Sequence, residues 1–267
     1  MLKHLLAWMG NRVAGRSGSV MADTTTDDVE VTDSIVTRVD RHVGSWEDFS
    51  HLIENCSGQD WVFRGVTNCE HRLIPKIGRS QSRKDPRTGE CVEFSSRGER
   101  KIVDDFSRSA RPYFINSPQN DLELLAIGQH HGLPTRLLDW TESPLVAAYF
   151  AAEEAGVSGV PGIYAVKGLP VLDGSEDPFN LSQVSIYRPP HISARIPAQR
   201  ALFTVHPTPD RDDIAPARTE LWRIEGKNRS TFWLKRILDT CGINRSALFP
   251  DLDGLSHYLG WKYKWSS

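Results

Sequence analysis

The sequence predicts an α+β fold, with helices packed on a mixed, mostly antiparallel sheet. Three observations point there. Helix-period and strand-period segments share the 267 residues without the strict strand–helix–strand beat of a doubly wound sheet. Hydrophobic residues at 39% and charged residues at 25% suit a chain that buries a core rather than a disordered one. No internal repeat and no heptad run is present, so solenoid and coiled-coil readings fall away.

Taken in order, residues 1–42 read as a tail or as the product of an overcalled start codon, and one domain runs over 43–267. "MLKHLLAWMG" holds an apolar patch too short to span a membrane or to serve as a signal peptide, and Met21 opens a more ordinary start. The acidic, Thr-rich run 22–33 reads as solvated. Order begins near Val43, where "GSWEDFSHLIENC" offers Ser45 as an N-cap and Phe49, Leu52 and Ile53 as a buried stripe. "DWVFRGV" is a strand closed by Gly65, with Arg64 at its end.

Residues 78–98 carry no apolar period and read as an exposed loop. A helix over 98–110 follows, with Ile102, Val103 and Phe106 on one face and Pro112 as its stop. "DLELLAIGQHHGL" predicts a helix that buries Leu122, Leu125 and Ala126 and ends at Gly132 and Pro134. "TRLLDWT" extends as a strand, and Ser143–Pro144 cap a helix that is apolar nearly all round. Strands are expected at "GIYAVKG", "VSIYRPP", "ALFTVHP" and "ELWRIEG", and helices at "STFWLKRILDTCG" and "LDGLSHYLGWKY".

A formal net charge of −2 offers no basic field for non-specific duplex binding. The four cysteines form no CxxC pair, which argues against a zinc ribbon or thioredoxin motif and for a reducing, cytoplasmic setting. The metal candidates are His130, His131, Asp139 and His191, but adjacent helical residues diverge by about 100° and cannot easily share one ion. Without HxxxH or HExxH the reading is metal-free, with the histidines capping a helix end or bonding inside a cleft. A phosphate loop, a GxSxG elbow and a distinctive cysteine nucleophile are all missing from the sequence.

What remains is Arg64, the stretch Arg136 to Ser143 at a strand-to-helix turn, and Arg195 with Gln199 before another strand. Guanidinium forks and free N–H groups at such positions suit anions. Against this stands a plainer reading in which Arg136 and Asp139 form a buried pair that fixes the fold.

These residues resemble the FRG-domain family, named for its Phe-Arg-Gly motif, which stands here as Phe63-Arg64-Gly65. "QHHGLPTRLLDWTESPLVAAYFA", "RIPAQRALFTVH" and "LFPDLDGLSHYL" carry the rest of the likeness, over about residues 43–263. The order of motifs is also similar to the ADP-ribosyltransferase fold, which implies an α+β core around NAD, used as a substrate with no metal. That resemblance implies that Arg64 holds phosphate or ribose, that Thr141 or Ser143 supports the nicotinamide ribose, and that Gln199 takes the third catalytic position. Phe63, Trp140 or Tyr149 would stack on the nicotinamide, and Gly65, His131 and Arg195 would complete the cofactor contacts.

The chain departs from the transferase pattern at that third position. A Glu is usual there, and Gln199 can hydrogen-bond ribose but cannot act as a base or supply a full charge. Glu220 is the alternative carboxylate. The expected function is therefore transfer of ADP-ribose or hydrolysis of NAD, with a protein or nucleic-acid acceptor, in a toxin or phage-defence effector by analogy. The rivals are a non-catalytic module for nucleotides or RNA ends, and a metal-independent nuclease using His130 or His131.

Overall fold

The computed structural model describes residues 38–58, 60–79, 84–153, 159–214, 218–225 and 231–264, all within one compact unit, Val36–Ser267. The tail over 1–37, with its apolar patch and the acidic run, lies outside the described residues.

Seven strands form one sheet: β1 (Val39–Val43), β2 (Trp61–Val66), β3 (Leu137–Thr141), β4 (Gly162–Lys167), β5 (Ser185–Tyr187), β6 (Ala201–Val205) and β7 (Arg218–Ile224), in the order β1-β7-β4-β2-β3-β6-β5. Only β1 against β7 is parallel; the other pairings are antiparallel. The fold is thus α+β with a mixed, mostly antiparallel sheet, as the missing βαβ beat predicts. Strand β1 falls in the stretch assigned to the tail, and its three consecutive polar residues, Asp40, Arg41 and His42, explain why no apolar signal announces it.

Helix α1 (Trp46–Asn55) begins at the expected cap: Ser45 Oγ accepts from Asp48 N and the Asp48 carboxylate accepts from Ser45 N. The helices α2 (Ser96–Ala110), α3 (Asp121–His130), α4 (Pro144–Ala152), α6 (Phe232–Thr240) and α8 (Leu252–Lys264) occupy the segments read as helical. Two short helices, α5 (Arg195–Gln199) and α7 (Arg245–Leu248), are additions, being too brief to show a period.

Side-chain alternation along the strands gives each face its own core. Phe63, Ile163, Ala165 and Trp222 face α1, α4 and α6, while Leu137, Phe203 and Val205 face α2 and α3. Val62, Leu138, Trp140, Tyr164, Leu202 and Leu221 build a layer on the reverse side. Gly65 does not close β2; it is an inner residue of the strand, and Arg64 is the fourth of six. A Cβ at Gly65 would stand 2.0 Å from Ala147 O, so the glycine lets α4 lie directly on β2. Among the described residues, no helix is long and apolar enough to cross a membrane.

Candidate active site

The sheet is not uniformly zipped. β2 pairs with β4 over six residues and β3 with β6 over five, yet β2 and β3 meet at the single pair Phe63↔Thr141. Beyond it the two central strands part, and a cleft of about 940 Å³ occupies the seam. Its lining comes from both faces of the sheet: Phe63, Gly65, Asp139 and Thr141 by alternation on the helical side, Arg64 and Trp140 on the reverse. Such mixed lining is what an opened strand pair produces.

Arg64 bridges the gap. Its Nη1 donates to Asp139 O at 2.5 Å, taking a carbonyl that a continued β2 would have satisfied. The same nitrogen lies 3.8 Å from Asp139 Oδ2. Nε and Nη2 have no protein partner among the described residues, so two edges of the guanidinium are free for a ligand. Burial lowers its pKa, the Asp139 carboxylate opposes that, and an arginine so placed stays charged at any physiological pH.

Asp139 is held from α3 as well. Thr135 Oγ1 donates to Gln129 Oε1 at 2.7 Å, which orients the amide so that its Nε2 donates to Asp139 Oδ2 at 3.2 Å. The carboxylate is nevertheless 60% exposed and lines the cleft. The pairing of Arg136 with Asp139 is therefore corrected. Arg136 precedes β3 and turns to α2, where Nε and Nη2 reach Glu99 at 2.9 and 2.5 Å. Its Nη1 donates to Pro178 O and His206 O, and both Arg136 and Glu99 are 1% exposed. Arg136 is architectural; Asp139 belongs to the cleft.

The remaining predicted residues divide. Phe63, Gly65, Trp140, Thr141, Arg195 and Gln199 line the cleft; His131, Ser143 and Tyr149 do not. His131 caps α3 and is exposed, and His130 takes the place inside. Burial, with His131 and Arg195 nearby, pulls the His130 pKa below the ordinary histidine value, leaving it neutral near pH 7. Ser143 Oγ accepts from Val146 N and caps α4. Tyr149 is buried, and its hydroxyl donates to Glu153 Oε1 at 3.0 Å.

Thr141 and Gln199 are joined to each other. Thr141 Oγ1 donates to Gln199 O at 2.7 Å and accepts from Ser143 N at 3.0 Å, so its hydroxyl proton is spent on fixing the end of α5 against β3. Gln199 Nε2 donates to Leu248 O at 3.0 Å, which leaves Oε1 as its open acceptor. Trp140 is 3% exposed and its indole N–H donates to Thr204 Oγ1, so it serves as floor rather than as a stacking platform. Glu220 is buried in β7, bonded to Arg218 and Trp222 beyond β4, and does not reach the cleft.

Sequence reasoning missed several walls of this cleft. Arg72 and Arg79 enter from the segment after β2, and Phe150 and Phe249 supply half-buried aromatic rings. Arg195 lies 5.1 Å over Phe249 and is bonded to Asp251 at 2.7 Å. Arg79 falls in the stretch 78–98 read as an exposed loop and Arg72 in one that shows no pattern; the seam that collects them has no local sequence signature. No group of three or more His, Cys, Asp or Glu side chains converges among the described residues.

The comparison with protein families reads the same part of the chain. Residues 59–158 match the FRG domain. The FRG segment thus contains β2, α2, α3, β3 and α4, that is, both lips of the seam with Arg64, Asp139 and Thr141. The opposite wall, from α5 and the residues around Phe249, lies outside the matched FRG segment. No curated protein and no solved structure matches the chain.

Proposed function

We propose that the cleft binds a dinucleotide of the NAD type and that the protein breaks the nicotinamide–ribose bond, passing ADP-ribose to water or to an acceptor. One observation carries this reading: the Arg64 guanidinium stands in the seam with two donor edges unspent, and Arg72, Arg79 and Arg195 line the same cleft. A diphosphate is the ligand such an array suits, since guanidinium forks match phosphate geometry. The cleft volume lies within the range of roughly 300–1,000 Å³ typical of small-molecule sites, toward its upper end. An ADP-ribosyltransferase-like arrangement of the core belongs to this same proposal.

Chemistry needs negative charge where the ribosyl cation develops. Gln199 cannot supply it and Glu220 is elsewhere, but Asp139 stands beside Arg64 with its carboxylate turned to the cleft. The C1′–N bond breaks with its electron pair going to the ring nitrogen, and nicotinamide leaves neutral. Asp139 stabilises the oxocarbenium ion and takes the proton of the water or acceptor that bonds to C1′. Gln199 Oε1 accepts from a ribose hydroxyl. Arg64 holds phosphate, and Thr141 keeps Gln199 in place.

Calorimetry with NAD and a nicotinamide-release assay test this. Arg64→Ala is expected to weaken binding by about tenfold or more, the size of a lost charge-assisted bond. Asp139→Asn is expected to bind NAD nearly as wild type and to lose turnover on the order of a hundredfold. Wild-type protein that does not bind NAD sinks the reading. A second reading, a silent nucleotide-binding module, is favoured by the tie of the Gln199 amide to Leu248 O, and binding without any nicotinamide release would establish it. In a cytoplasm the proposed turnover would deplete NAD, the chemistry of a toxin or phage-defence effector, and growth arrest relieved by Asp139→Asn is the cellular counterpart.

A further inference from the structure

A second cavity lies apart from the seam. It measures about 220 Å³, sits between α4, α6, α7 and α8, and shares no lining residue with the cleft. Tyr149, Ile243, Tyr258 and Trp261 give it apolar walls, the Tyr258 and Trp261 rings stacking at 28° with 6.2 Å between centroids. Lys235, Arg245, Glu153 and Asp239 line it too. Both carboxylates are engaged: Glu153 accepts from the Tyr149 hydroxyl and from Arg245 Nη1, and Asp239 Oδ1 accepts from Asn244 Nδ2 at 3.0 Å. The cations are not. Lys235 Nζ stands 5.2 Å from the centre of the Trp261 ring and makes no hydrogen bond or ion pair among the described residues, although Asp239 is one turn away on α6. Arg245 Nε is buried with no hydrogen-bond partner among the described residues. Burial lowers the Lys235 pKa, the Glu153 carboxylate opposes this and Arg245 adds to it, which fits an ammonium held without a close counter-ion. Open donors in a recess call for a partner that supplies acceptors.

We propose that this pocket binds a small organic anion, a monocarboxylate carried on a single planar ring, at a site separate from the cleft. The carboxylate pairs with Lys235, Arg245 contributes the second donor, and the ring lies among Tyr149, Ile243 and Trp261. Size limits the ligand to about one ring, since the volume falls below the roughly 300–1,000 Å³ of drug-sized sites. Charge limits it to a monoanion, because Glu153 and Asp239 on the walls would repel the second charge of a phosphate.

Calorimetry with benzoate on the purified chain tests this. For a ligand of about nine non-hydrogen atoms the expected Kd is on the order of 0.1–1 mM, and benzamide, which has the shape without the charge, should bind at least about tenfold more weakly. Lys235→Met should weaken benzoate at least about tenfold with an unchanged circular dichroism spectrum, since the half-buried ammonium makes no hydrogen bond that the fold would lose. Asp239→Asn keeps the acceptor for Asn244 and removes a wall charge, so it should tighten benzoate by about two- to fivefold. Arg64→Ala, in the seam, should bind benzoate as the wild type does. A wild type that does not bind benzoate at about 10 mM overturns the proposal, and so does equal affinity for benzamide. Benzoate binding unchanged in both Lys235→Met and Asp239→Asn overturns it as well. Loss of binding in Arg64→Ala with retention in Lys235→Met would place the ligand in the seam and sink the second site.

Discussion

Glu99 and Arg136 offer the sharpest test of how this fold is held. Both side chains are 1% exposed or less, two bonds of 2.9 and 2.5 Å join them, and the third guanidinium arm satisfies Pro178 O and His206 O. Glu99→Met strands the guanidinium charge in a site without water, and breaking a buried pair in this way costs about 3–5 kcal/mol. In a domain of this size each kcal/mol moves the melting temperature by roughly 2–4 °C, so a fall of about 6–20 °C is expected. Arg136→Met should cost at least as much, since it strands both the carboxylate and two carbonyl groups. The double variant removes both charges and should therefore be better than the sum of the singles by about 2 kcal/mol or more. Urea melts followed by tryptophan fluorescence would measure all four corners of the cycle. Glu142→Gln, which touches the half-exposed pair with Arg188 at 3.1 Å, is the control, expected to cost less than about 1 kcal/mol. Single effects that add to the double within about 0.5 kcal/mol, or a Glu99→Met chain that melts like the control, would refute the reasoning.

Other outcomes follow from the same geometry. Gly65→Ala is expected to destabilise by about 1–3 kcal/mol in thermal melts, because its Cβ would drive α4 off β2. Ser143→Ala should cost about 1 kcal/mol through the lost cap of α4 and leave NAD affinity unchanged in calorimetry, since Ser143 lies outside the cleft. His206 is fully buried, and burial, with Arg64 and Arg136 adding, lowers its pKa to about 3. The unfolded chain then binds the extra proton between about pH 6.5 and 3, so stability falls as pH drops through that window, by up to about 1.4 kcal/mol per unit. Asp213, whose pKa burial raises, acts in the opposite sense just above its ordinary value. Urea melts at pH 5 to 6.5 read this loss, to which His130 adds in the same sense, and a His206→Gln chain should show a flatter profile there.

Much of the fold was legible because its long elements announce themselves locally. The Ser45 cap, the all-round apolar α4 and the strand "GIYAVKG" each carry their own period. β1 did not, because a strand paired on one side and exposed at three of five positions needs no apolar alternation. In the site, Arg64 was legible as an isolated cation beside a tight glycine. Asp139 was misassigned through its nearness to Arg136 in sequence; the carboxylate that claims Arg136 is Glu99, 37 residues away. Tyr149 looked like a ligand contact because it follows the right motif, but α4 turns it away from the seam and into a bond with Glu153. Nothing in the chain signals that β2 and β3 part after one pair, since register is a property of two distant segments.

That single pair divides the sheet mechanically. β1-β7-β4-β2 and β3-β6-β5 are each continuous ladders, and between them stand one strand pair and the arm of Arg64. A small rotation of one half-sheet against the other about Phe63 and Thr141 changes the width of the seam without breaking a ladder bond in either half. A ligand anion that draws Arg64 away from Asp139 O would loosen the latch across the hinge it occupies. Occupancy of the cleft would in this way couple to opening of the sheet through one side chain.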